Sequence, residues 1–131
     1  MDREEILKLR TFLRQALGAA ALQVTQNASN EDIADVRLGE RRIGEICVDD
    51  EDGDRSFSFS MRVPVGRETL QDYLRKLFEN NALKIAGRLK KVDSVELSNG
   101  DDFLGVLSAD DARGTSFTFQ MAILDFDLED L

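Results

Sequence analysis

The chain has no histidine among its 131 residues, and that absence removes more chemistry than any other feature of its composition. Without an imidazole it cannot assemble a Ser-His or Cys-His nucleophilic pair, a histidine general base, or His-ligated zinc or haem. Cysteine is nearly missing too. The single Cys47 cannot close an intramolecular disulfide, which excludes a disulfide framework and fits a reducing compartment. No apolar run reaches the roughly 18 residues that a membrane helix needs, and the start Met1-Asp2-Arg3-Glu4-Glu5 lacks the basic opening and apolar stretch of a secretory signal. A cytoplasmic chain with no membrane partner is expected. The nine glycines never take the G-x-G-x-x-G or G-x-x-x-x-G-K spacing, so no nucleotide cofactor is expected. Positive charge is also short, with 17 Lys+Arg against 26 Asp+Glu and a net charge of −9. The acidic excess lies in both halves and repels phosphate backbones, which argues against nucleic acid as a partner.

What is present is enough for one domain: 42% hydrophobic residues and eight phenylalanines can build a sizeable core. The chain also repeats itself. A shift of 61 pairs Leu9, Leu13, Arg14, Ala21 and Leu22 with Leu70, Leu74, Arg75, Ala82 and Leu83. With a loop two residues shorter in the second copy, Val36 and Leu38 meet Val95 and Leu97, and then Gly44, Asp49 and Asp50 meet Gly105, Asp110 and Asp111. Finally Ser56-Phe57-Ser58-Phe59-Ser60-Met61 lies over Ser116-Phe117-Thr118-Phe119-Gln120-Met121.

Each copy, 1–64 and 65–131, reads as a helix followed by strands. Leu9, Phe12, Leu13, Ala16 and Leu17 and their counterparts Leu70, Tyr73, Leu74, Leu77 and Phe78 form one apolar helical stripe apiece. Asp2 with Glu5 is a capping-box pair at the first helix. Pro64, Gly66 and Glu68 introduce the second, and Gly18 and Asn80-Asn81 are the expected ends. Strands are expected near 21–26, 33–39, 42–49 and 55–63, and again near 82–87, 92–98, 102–109 and 115–124. Phe57, Phe59, Met61 and Val63 alternate with polar residues, as do Phe117, Phe119, Met121 and Ile123, so each last strand buries one face. Some sixty residues alone bury too little surface, so the copies are expected to share one core. The fold class is therefore α+β: a tandem duplicated unit with pseudo-twofold symmetry, its two helices packed on antiparallel sheet. Gly44 and Gly105, repeated within a strand, mark a bulge or a close helix crossing.

The tail from Ser116 to Asp130, the stretch Phe103-Leu104-Gly105-Val106-Leu107, and the acidic turn leading into an F-x-M block resemble a small uncharacterised alphaproteobacterial family, a domain of unknown function. The chain resembles two tandem copies of it, more loosely in the first, where Pro64 replaces the I-L-D continuation. That resemblance implies a fold and no activity. A single-copy relative is expected to homodimerise in the arrangement this chain makes covalently.

No motif assigns a catalytic residue, a metal ligand or a cofactor. The acidic run 49–54 fails the calcium-loop register, because Gly53 at the sixth position puts Val48 first and Phe59 twelfth. It reads as a solvated D-G turn. Asp49, Asp50, Asp110 and Asp111 sit at strand ends, where they cap backbone amides or face a basic partner. Arg41-Arg42 and Arg88-Leu89-Lys90-Lys91 read as solvated basic loops, Asn27-Ala28-Ser29 as a polar loop, and Cys47 as a packed, inert thiol. The last segment, 124–131, alternates apolar and acidic residues; it either extends the sheet or offers Phe126, Leu128 and Leu131 to a partner. The expected function is a non-enzymatic protein-interaction module, an adaptor or accessory subunit, working as a pseudo-dimeric monomer or as a homodimer. The alternative is a small-molecule or metal-binding protein, or an enzyme, using carboxylates at a cleft between the copies.

Overall fold

A computed structural model describes residues 1–50, 54–88 and 91–131. Helix α1, Arg3–Leu17, begins where the Asp2 carboxylate accepts from the Glu5 amide at 2.8 Å and the Glu5 carboxylate accepts from the Asp2 amide at 3.4 Å. These reciprocal bonds satisfy two amides that a helix start leaves unpaired. Its apolar stripe, Ile6, Leu9, Leu13 and Leu17, is buried, and the chain leaves the helix through Gly18 at φ 64°. Helix α2, Leu70–Phe78, follows a 3₁₀ turn, Arg67–Thr69. Its left-handed closing residue is Glu79 at φ 53°, not the expected Asn80-Asn81. Asn80 does different work: its Nδ2 donates to the Leu17 carbonyl at 2.9 Å and to Asn99 Oδ1 at 3.1 Å, so it joins the two copies. An added Cβ on Gly18 would collide with the Asn80 amide, which gives that glycine a second reason. No helix among the described residues is long and apolar enough to cross a membrane.

The strands are β1 (Leu22–Gln26), β2 (Ile33–Leu38), β3 (Arg41–Asp49), β4 (Ser56–Val63), β5 (Leu83–Arg88), β6 (Lys91–Asn99), β7 (Asp102–Ala109) and β8 (Phe117–Leu124). They form one antiparallel sheet in the order β1-β2-β3-β4-β8-β7-β6-β5. The copies meet where β4 pairs with β8, and the register sets Ser60 opposite its own repeat equivalent, Gln120. The pseudo-twofold axis passes between them, perpendicular to the sheet, so both helices fall on one face. On that face Phe57, Phe59, Met61 and Val63 stand opposite Ile123, Met121, Phe119 and Phe117. The Phe59 and Phe119 rings meet edge-on at 5.9 Å across the seam. One apolar cluster takes in both helices and the inner face of the sheet.

The register corrects the alignment. Val36 pairs with Gly44 and Leu97 with Gly105, while Leu22 pairs with Leu38 and Leu83 with Asn99. Val36 and Leu38 are therefore equivalent to Leu97 and Asn99, not to Val95 and Leu97. A constant shift of 61 holds from the helices through β3 and β7, and becomes 60 at β4 and β8.

Gly44 and Gly105 adjoin equivalent bulges, one at Ile43 and the other at Leu104, where the ladders slip by one residue. The neighbour that excludes a side chain there is the adjacent strand, not a helix. A Cβ on Gly44 would lie 2.5 Å from the Ser60 carbonyl and 2.9 Å from the Phe59 ring. Gly105 faces Gln120 and Phe119 in the same way.

Candidate functional site

The faces turned away from the helices, the two sheet edges and the strand ends hold what the core does not use. On the open face, Asp35 is only 6% exposed because other side chains cover it. Its Oδ1 accepts from Arg42 Nε at 2.8 Å and from Asn27 Nδ2 at 3.0 Å, and Arg42 also reaches Glu45 at 2.9 Å. Burial alone would raise the Asp35 pKa, but the hydrogen bonds from Arg42 and Asn27 outweigh it and hold the carboxyl below its ordinary 3.8. The cluster is internally satisfied and does not recur: Glu96, Phe103 and Val106 occupy the places of Asp35, Arg42 and Glu45. Cys47 lies nearby with its thiol toward Glu45 at 3.8 Å, and burial together with that carboxylate pushes its pKa up, which suits an inert thiol.

The paired aspartates sit at opposite ends of the strands, as the perpendicular axis requires. Asp110 accepts from the Thr118 and Ser116 hydroxyls at 2.6 and 2.7 Å, and these bonds lower its pKa. Asp111 accepts from the Arg113 and Gly114 amides at 3.1 and 2.9 Å, the amide-capping role. Asp50 receives Arg55 at 3.2 Å, and Asp49 is exposed at the end of β3. The remainder of the acidic turn, 51–53, and residues 89–90 of the second basic loop lie outside the described residues. No group of three or more potential metal-binding side chains occurs among the described residues.

The C-terminal segment neither extends the sheet nor hangs free. Leu124 ends β8, and Asp125–Leu128 turns as a 3₁₀ helix in which Asp127 accepts from the Leu124 amide at 2.9 Å. Leu128 is buried and belongs to the fold. Phe126 is 65% exposed and Leu131 also reaches the surface.

At the edges the copies differ in a way the sequence reading missed. In both, an arginine closes the first outer carbonyl: Arg14 Nε donates to the Leu22 carbonyl and Arg75 Nε to the Leu83 carbonyl, each at 2.7 Å. The next outward amide is Ile85 on β5, and Gln71 Oε1 accepts from it at 3.0 Å. On β1 the equivalent amide is Val24. Asn27 bonds inward to Ile33, so strand alternation turns Val24 outward. The residue in the place of Gln71 is Arg10, which can only donate. Its Nε is buried without a partner among the described residues. The contrast was open to inspection at shift 61, but it carries meaning only once both residues are known to flank sheet edges.

A family model, described as a protein of unknown function (DUF3126), matches residues 5–64 and again residues 67–127. No curated protein and no solved structure matches the chain.

Proposed function

We propose, for a chain that belongs to the DUF3126 family as two tandem copies, a non-enzymatic protein-interaction role in which an extended partner segment adds to the sheet along β1. The observation that carries this reading is the unequal treatment of equivalent edges: Gln71 closes the Ile85 amide, whereas among the described residues no side chain accepts from Val24, and Arg10 Nε has no acceptor. An incoming strand would supply a carbonyl to the Val24 amide, which is the main-chain logic of strand addition. A carboxylate cleft between copies finds less support. The seam on the core face is filled by apolar cross-strand pairs and carries no carboxylate.

The test copies the second repeat into the first. Arg10→Gln should close the β1 edge, keep or slightly raise thermal stability by removing a buried unpaired donor worth about 1 kcal/mol, and abolish capture of partners that the parent chain takes from native lysate. Capture unchanged by Arg10→Gln, or no capture by the folded parent chain, would overturn the proposal.

A further inference from the structure

A second asymmetry between the copies lies away from the β1 edge, at the opposite end of the strands from the C-terminal turn. Beneath α2 is a groove of about 210 Å³ whose floor is Ile43, Met61, Tyr73 and Leu77. Its rim is Arg41, Arg42 and Arg62, three cations gathered in a chain of net charge −9. Arg42 is committed to Asp35 and Glu45. Arg62 is 75% exposed and only 3.9 Å from Asp110, a loose pair, and Arg41 has no ion pair among the described residues.

The pseudo-twofold axis carries this groove onto a very different surface. Asp102, Phe103 and Ala122 stand where Arg41, Arg42 and Arg62 stand in the first copy. Phe103 is 59% exposed, Leu124 is 48% exposed, and Phe126 follows in the C-terminal turn between Asp125 and Asp127. One molecule thus presents an aromatic knob among carboxylates at one end of its strands, and an apolar slot rimmed by arginines at the other. The knob cannot serve its own slot. Phe126 follows the end of β8, whereas the slot lies beside its start, and eight residues of strand separate the two by about 24 Å.

We propose that the arginine-rimmed groove receives Phe126 of a second copy of this chain, giving head-to-tail self-association. Phe126 supplies the desolvated anchor, and Asp125 with the neighbouring acids faces Arg41 and Arg62. The 3₁₀ turn holds the knob ready, so little is lost on ordering. The contact is heterologous, so it propagates as a chain unless the rotation closes it. Salt weakens it through the charged rim.

Sedimentation velocity over a range of concentrations at low salt reads this directly, with two variants whose altered residues are exposed: Phe126→Ser, which lacks the knob, and Arg41→Glu/Arg62→Glu, which reverses the rim. The parent chain should associate. Each variant alone should remain monomeric at concentrations at least tenfold higher, with an unchanged melting temperature and far-UV circular dichroism. Mixing the two variants should restore association but stop at dimers, because the mixture offers one intact knob and one intact groove per pair. Arg10→Gln should leave this self-association untouched, which separates it from strand addition at β1. A parent chain that stays monomeric throughout, even if its groove takes up some other acidic peptide, overturns the proposal. So does a Phe126→Ser variant that associates like the parent, or a mixture of the two variants that remains monomeric.

Discussion

Alanine at Gly105 should lower the melting temperature by roughly 10 °C, corresponding to about 3 kcal/mol, the upper part of the usual range for forcing atoms into a packed site. The added methyl would press on the Gln120 carbonyl and the Phe119 ring. The ring could rotate, but the carbonyl belongs to the neighbouring strand in the middle of an eight-stranded sheet and has nowhere to go. Relief would require β7 to separate from β8, and the adjoining bulge at Leu104 already fixes the local twist. Gly44→Ala repeats the conflict against Ser60 and Phe59 and should cost a similar amount. Because both glycines border one core, each variant should melt in a single transition by calorimetry. A shift of only a degree or two, or two separate transitions, would contradict this reading.

A chain cut after residue 65 should lose stable monomeric folding altogether. That fragment would expose the inner face of β4, whose Phe57, Phe59, Met61 and Val63 lie against β8 in the intact sheet. It would also leave the last turn of α1 without two donors from the second copy, Asn99 Nδ2 to the Ala16 carbonyl at 3.0 Å and Asn80 Nδ2 to the Leu17 carbonyl at 2.9 Å. At about sixty residues the remaining core is marginal. The edge it leaves is self-complementary in register, since Ser60 flanks the pseudo-twofold axis opposite its own repeat equivalent. Purified 1–65 should therefore aggregate or dimerise through β4 with itself, as measured by light scattering during size-exclusion chromatography. A well-folded monomer would show that the copies do not need one another.

Much of the fold was legible in the sequence. The i, i+3, i+4 stripe from Leu9 to Leu17, the Asp2–Glu5 cap and the alternation around Phe57 and Phe117 located both helices and all eight strands to within a residue or two, apart from the start of α2, where a 3₁₀ turn takes the first residues. The repeat was legible as well, but its register was not. Pairing Val36 with Val95 rather than Leu97 is a slip of two, and a strand shifted by two keeps every side chain on its face, so alternation cannot expose the error. The C-terminal segment alternates like a strand, yet it turns after Leu124, because the Asp127 carboxylate takes the amide a further strand would have used and Leu128 drops into the core. Arg10 and Gln71 were visible as unlike residues at like positions. That they decide which sheet edge is closed depends on where α1 and α2 come to lie, which no local pattern encodes.

Amide hydrogen exchange of the free protein, resolved at Val24 and Ile85 by NMR, tests the asymmetry most directly. The two residues are equivalent by the repeat, both are edge amides turned outward, and they differ in one acceptor. Val24 should exchange at least tenfold faster than Ile85, and Arg10→Gln should slow it toward the Ile85 rate. Equal protection of the two amides in the parent chain would mean that the β1 edge is already closed, and that the copies do not differ where a partner strand would need them to.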